Sequence, residues 1–429
     1  MLHAPLSRWS IFLLLAGCLL GCEIPAQMSF SPDGRYIAYF KRDRMHLLAA
    51  DGRPMALLGE SLGGMVWTRD SKTLYFAADR SEMPATAPAT TAAMAPEASG
   101  SDQVDGTGEM MLYCWRDGDV EPLAPLPHPV LHLAIDPSEQ WLAIVMLESG
   151  EAQNRRHLYA FHIPGRALHS ISDTNGLPAC FTGDGRLAFV EAYDEHAREA
   201  LGAVVEIKLD ELPNQPQRKR LLNVLVAGAG WMQSINGDLL LTALPLTLPG
   251  PYTEDLRHTL FHYTRASKNV APIATDVGQF FSISPEGTHL LFEKITRATE
   301  SAPERRALCI ANINGSDAHE LRDLGQYESL PMFPAWRGQS EIAFVPPVKP
   351  DQPVGEDGRL RFEVTLYRIS VNGSASLEFQ SRLSQHWPDE MKPSARAHRP
   401  STRPATDAAG SGDVRSAASP PATGPLQSK

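Results

Sequence analysis

Short apolar runs separated by turn residues recur along most of this chain, and they set the expectation for its fold. The clearest unit is Phe30-Ser31-Pro32-Asp33-Gly34-Arg35-Tyr36-Ile37-Ala38-Tyr39. Proline fixes one backbone torsion and Asp-Gly supplies the reversal, so the pattern predicts two strands joined by a tight turn. Weaker copies run through Trp67-Thr68-Arg69-Asp70-Ser71, Ile135-Asp136-Pro137-Ser138, Phe181-Thr182-Gly183-Asp184-Gly185 and Ile235-Asn236-Gly237-Asp238. Two more are Ile283-Ser284-Pro285-Glu286-Gly287 and Trp336-Arg337-Gly338-Gln339-Ser340. An apolar run such as Leu74-Tyr75-Phe76 or Leu290-Leu291-Phe292 follows each copy. These seven units lie roughly 51 residues apart, a period that marks a repeat architecture.

Most units then carry a second hairpin. Met45-His46-Leu47-Leu48 turns at Asp51-Gly52, and Met111-Leu112-Tyr113-Cys114 turns at Asp117-Gly118. His157-Leu158-Tyr159-Ala160 turns near Pro164-Gly165, Leu308-Cys309-Ile310-Ala311 at Asn314-Gly315, and Val364-Thr365-Leu366-Tyr367 at Asn372-Gly373. Asn-Gly and Asp-Gly supply the positive φ that two-residue hairpins need. The second strand of each unit is apolar on both faces, as a strand sandwiched between neighbouring sheets would be. The fold expected is all-β: a seven-bladed β-propeller with four antiparallel strands per blade over residues 28–387, with six or eight blades as the alternatives. A β-sandwich or two separate β domains is the competing architecture, and the even spacing disfavours it.

The first unit resembles the Pro-Asp-Gly repeat of TolB-like β-propellers over its whole turn and second strand. Residues 282–292 resemble it with Glu286 in place of the aspartate, and the other copies are degenerate. The resemblance implies a periplasmic binding scaffold, or the propeller half of a prolyl-oligopeptidase-like peptidase. Only Glu23 to Gln27 separate Cys22 from the first repeat, which departs from TolB itself, and nothing after residue 387 resembles a hydrolase domain. A shared folding motif by itself says little about activity.

The leader adds an address. Arg8 precedes Ile11-Phe12-Leu13-Leu14-Leu15, a run too short for a membrane span, so residues 1–21 read as a signal peptide. Leu15-Ala16-Gly17-Cys18 and Leu19-Leu20-Gly21-Cys22 both resemble the bacterial lipobox, in which a small residue precedes a cysteine that is lipidated and becomes the mature N-terminus. Cys18 has the better flank, and Cys22 is the alternative attachment site. The expectation is a lipid-anchored protein of the bacterial cell envelope, facing the periplasm or the exterior. Cys114, Cys180 and Cys309 match no metal-site spacing. They read as buried thiols in separate repeats rather than as a disulfide.

Composition sharpens this picture in two places. The net charge of −11 gives no support for a nucleic-acid surface, and the segment 22–387 alone is more acidic, about −14. Residues 81–108 and 388–429 are rich in Ala, Thr, Pro and Ser, and read as a low-complexity insert and a disordered tail.

The connections between second and third strands read as long and polar: 79–109, 148–156, 191–203, 244–258, 294–306 and 346–362. All fall on one face of the array, which marks it as a binding face for envelope proteins or peptides. Arg155, Arg156, Arg305, Arg306, Arg359 and Arg361 stand at the ends of three of these connections and are the candidate contact residues.

No nucleophile elbow, phosphate loop, His-Glu-x-x-His or Cys-x-x-Cys is present, so no catalytic, cofactor or metal residue is assigned and no cofactor is expected. The functional expectation is a binding or assembly scaffold without catalysis of its own. The alternative is a hydrolase or lyase acting on peptide or glycan in the central channel, where His128 and His132 would sit. Asp33, Asp70 and Asp184 read as turn formers rather than calcium ligands.

Overall fold

The computed structural model describes residues 28–41, 44–51, 53–60, 64–83, 110–148, 155–174, 179–192, 201–212, 214, 216–225, 229–244, 257–299, 304–325, 334–344, 366–370 and 377–379. Every sheet among them is antiparallel and built from strands consecutive in sequence. Blade one holds β1 (Met28–Phe30), β2 (Tyr36–Lys41), β3 (Arg44–Ala49) and β4 (Pro54–Glu60). Blade two holds β5 (Met65–Trp67), β6 (Thr73–Asp79), β7 (Met110–Arg116) and β8 (Asp119–Pro125). Blade three holds β9 (Val130–Ile135), β10 (Trp141–Glu148), β11 (Arg155–His162) and β12 (Ala167–Thr174). Blade four holds β13 (Ala179–Phe181), β14 (Leu187–Ala192), β15 (Leu201–Ile207) and β16 (Lys219–Leu225).

The next two blades form one seven-stranded sheet: β17 (Ala229–Ile235), β18 (Asp238–Ala243), β19 (His258–Thr264), β20 (Asn269–Ile283), β21 (His289–Thr296), β22 (Arg305–Asn312) and β23 (His319–Gly325). Here β20 closes blade five and opens blade six. Its register breaks on both sides of Val277, next to Asp276 with φ +51°. One long strand therefore bends between blades where the sequence pattern predicts two separate ones. Blade seven holds β24 (Ala335–Arg337), β25 (Glu341–Phe344), β26 (Leu366–Ser370) and β27 (Leu377–Phe379).

The apolar core is divided rather than central. Seven buried clusters are present among the described residues, and each joins one blade to the next. Leu74, Phe76 and Ala78 of β6 face blade one, while Tyr75 and Ala77 of the same strand face blade three. This is the physical content of a second strand that is apolar on both faces: alternate side chains serve two different seams. The last seam joins Phe30, Ile37 and Tyr39 of blade one to Ala335 and Ala343 of blade seven, so the innermost strands form a closed ring. Among the described strands, none crosses from the first blade into the last sheet. Among the same residues, side-chain packing joins the first blade to the last.

The tight turns follow the sequence chemistry. Ser31 Oγ donates to Asp33 Oδ1 at 2.7 Å, and the backbone N–H groups of Arg35 and Tyr36 bond to Asp33 Oδ1 and Ser31 Oγ at 3.0 Å each. Thr68 with Asp70 and Thr182 with Asp184 repeat the arrangement. The aspartates thus act as turn formers, as expected, and the hydroxyl two residues earlier is the part that the sequence pattern left unremarked.

Cys114, Cys180 and Cys309 are free, buried and in different blades, as expected. Burial pushes the Cys180 thiol up to about 12 and those of Cys114 and Cys309 up to about 11, so all three are poor nucleophiles.

Candidate functional site

One face of the ring carries the tight turns, such as Asp117-Gly118 and Asn236-Gly237, where all four residues take positive φ. The opposite face carries the ends of second strands, the starts of third strands and the crossings between blades. The connections there run through 80–109, 149–154, 193–200, 244–257 and 297–304, against 42–43 in blade one. Most of these residues lie outside the described set. Ser81 and Glu82, expected in the insert, instead belong to a single 3-10 turn, Arg80–Glu82, capped by Asp79. No helix among the described residues is long and apolar enough to cross a membrane.

The expected loop boundaries need correcting. Arg155 and Arg156 open β11, and Arg305 and Arg306 open β22, so all four are strand residues. Glu148 stands opposite Arg155 in the register and Thr296 opposite Arg305, which extends both ladders beyond the apolar run that made them legible. Leu201, Gly202 and Ala203 likewise belong to β15 rather than to a loop.

The arginines of blade six are held within their own blade. Arg305 pairs with Glu320 at 2.5 Å and Asp323 at 3.1 Å, and Arg306 pairs with Glu293 at 3.3 Å and Glu304 at 3.5 Å. Glu293 is nearly buried, and burial raises its carboxyl pKa against the pull of Arg306. Arg359, Arg361, Cys18 and Cys22 lie outside the described residues.

The two histidines singled out in the sequence have different surroundings. His132, on the innermost strand of blade three, has its Nε2 3.1 Å from the Ala179 carbonyl of blade four. A carbonyl only accepts, so Nε2 carries the proton. The ring also meets Trp231 of blade five edge to face, with centroids 4.8 Å apart. Burial pushes its pKa down to about 4, so His132 is a neutral strut tying three blades together. Besides Asp276 at the bend of β20, Cys180 and Arg337 are the other ionisable side chains on the described innermost strands.

His128 is part of a cluster that sequence reading missed. Its ring stacks on His157 with centroids 5.3 Å apart and planes 19° apart, and His157 Nε2 lies 2.9 Å from Glu148 Oε2. One nitrogen of each ring and one carboxylate oxygen all lie within 4.8 Å of one another. Three adjacent segments supply these groups. In the register, His157 pairs with Met146, which pairs with Val130 on its other side, and the Leu147 N–H bonds the Pro129 carbonyl at 2.8 Å. Glu148 is two residues beyond Met146, so strand alternation puts it on the same side of the sheet as His157, and the bend before β9 brings His128 against them. That side faces blade two, and its floor is Met146, Val130 and Leu126. Glu148 is pulled below the usual carboxylate range, first by the His157 hydrogen bond, while burial lowers His128.

Comparison with known proteins shows the fold and not the activity. No protein-family model and no curated protein matches this chain. Among solved structures it is similar to the β-propeller domain of the Trilobed protease from Pyrococcus furiosus, which has an open velcro topology. The TM-score is 0.51 at 10% identity, covering 84% of this chain and all of that one. It is similar to the tricorn protease at TM-score 0.50 and 11% identity, covering 85% of this chain but 36% of that one. A looser similarity, TM-score 0.41 at 15% identity, is to TolB from Acinetobacter baumannii, covering 63% of this chain and 59% of that one. The chain is therefore a β-propeller, and the last two comparisons span only part of their relatives' length.

Proposed function

We propose that this chain is a lipid-anchored β-propeller of the bacterial cell envelope that captures protein or peptide partners and performs no catalysis of its own. The observation that carries this reading is the asymmetry of the ring. Tight, internally bonded turns occupy one face, while the longer connections gather on the other. A repeat array tolerates length on any exposed edge, so length concentrated on one face points to a surface that meets something. The anchor is argued from sequence: two lipobox-like pairs follow a short apolar run, with Cys18 as the attachment site and Cys22 as the alternative. The acidic body, about −14 over residues 22–387, favours cationic partner surfaces and disfavours nucleic acid.

Affinity capture from detergent-solubilised membranes tests the binding reading. Shortening the connections one at a time, beginning with 84–108, is expected to lose the partner in at least one variant. Capture that survives every truncation would overturn the assignment of that face. For the anchor, replacing Cys18 and Cys22 together by serine is expected to move the protein from the membrane fraction to the soluble one. Retention of the double variant in membranes would count against lipidation.

A further inference from the structure

We propose that His128, Glu148 and His157 form a binding site for a divalent transition-metal ion of the zinc class on the partner-facing rim of blade three. Two imidazoles and one carboxylate from three adjacent segments converge there, and that donor set suits zinc rather than magnesium or calcium, which favour all-oxygen shells. Three protein ligands leave at least one coordination position open to water or to a donor from a partner.

The geometry is close to what such an ion needs. Zinc bonds of about 2.0–2.1 Å place tetrahedral ligands about 3.4 Å apart. The His157–Glu148 pair at 2.9 Å must therefore open slightly, and the other separations, none above 4.8 Å, must close by at most about 1.4 Å. Rotations of side chains at the rim supply both movements, because Glu148 is 43% exposed and the backbone beneath is pinned by the ladder. Without an ion, the His128 ring stacks on His157, and His157 bonds the Glu148 carboxylate. The apolar floor of Met146, Val130 and Leu126 gives the site a fixed base. This inference needs no protein partner, so it stands or falls apart from the capture experiment.

The test titrates the purified full chain with zinc chloride in a calorimeter, with magnesium chloride as the control. One tight zinc equivalent is expected, together with no magnesium uptake at that site. His128→Ala combined with His157→Ala is expected to weaken that equivalent by about 100-fold or more, and Glu148→Gln by about tenfold. The chain has 14 histidines, so zinc-edge X-ray absorption is needed to identify the ligands, with two imidazoles and one carboxylate oxygen expected. Circular dichroism and melting accompany each variant. If His157→Ala fails to fold, His128→Ala alone and Glu148→Gln decide the question from the rim. Unchanged zinc affinity and stoichiometry in the folded variants, or no tight zinc uptake by the unaltered chain, would overturn the proposal.

Discussion

His132 shows how a residue that reads as chemistry in sequence can be structural in place. It donates to the Ala179 carbonyl, packs on Trp231 and titrates near pH 4 instead of 6.5. Its folded-state pKa lies below its unfolded one, so between about pH 6.5 and 4 the unfolded chain takes up a proton that the native state refuses. Stability should therefore fall as pH falls through that window, by about 3 kcal/mol from this residue. His128 acts in the same direction, while buried Glu293, with its raised pKa, acts oppositely above its ordinary range. The difference between the unaltered chain and His132→Gln isolates the effect: melting curves from pH 7 to 4 should be flatter for the variant, and parallel curves would refute the assignment. Gly64 supplies a second test. It sits at φ +84°, and a methyl group there would lie 2.4 Å from Val130 Cγ1 on the next blade. Gly64→Ala should cost about 2–4 kcal/mol in urea unfolding, through strain and overpacking together.

At the scale of elements, the repeat turns were legible because their signal is local. Ser31-Pro32-Asp33-Gly34 closes on itself with bonds spanning two to five residues, so the sequence window contains every partner. What it does not contain is the link to the next blade. Ser71 at 64° and Glu139 at 58° are among the non-glycine turn residues held at positive φ. Each side chain accepts a backbone N–H from the preceding blade's turn, Asp33 N at 2.8 Å and Arg69 N at 2.7 Å. The same holds for Glu206 of β15, whose side chain is fully buried. Lys219 approaches it at 2.9 Å, Arg265 of blade five at 2.8 Å and Arg186 at 3.8 Å, and the Arg265 contact is an ion pair without hydrogen-bond alignment. Glu206→Gln keeps the shape but removes the charge that three cations share, and should destabilise the protein by about 3 kcal/mol. A change under about 0.5 kcal/mol in chemical denaturation would show that the cluster is solvated instead.

At the scale of the molecule, the decisive feature among the described residues is that seven separate cores join seven blades in a ring, so each blade is stabilised by two neighbours. Among the described residues, the seam between blades seven and one has no shared strand. It relies on Phe30, Ala335, Ala343 and their neighbours, with the Arg337 guanidinium 6.0 Å from the centre of the Phe30 ring. Phe30→Ala should cost about 3–5 kcal/mol and should speed amide exchange in β1–β4 and β24–β25 more than in β9–β16. Uniform loss of protection around the ring would mean that the seam is no weaker than the other joints.

Sequence by itself determined the repeat period, the four-stranded unit, the turn chemistry and the two-sided burial of the second strands. The turn chemistry and the two-sided burial depend on residues within one hairpin of each other, and the period and the unit emerge from their repetition along the chain. It also carried the lipobox-like pairs, on which the proposed anchor rests. Tertiary structure decided which residues meet. His128, Glu148 and His157 lie on three segments, and only the pairing of Met146 with both Val130 and His157 brings them together. The same pairing moves Arg155 from loop to strand, because ladder hydrogen bonds run past the end of the apolar run. Periodicity reports the side of a strand that is dry, but a site is assembled from register, and register is a relation between strands that no single run of residues encodes.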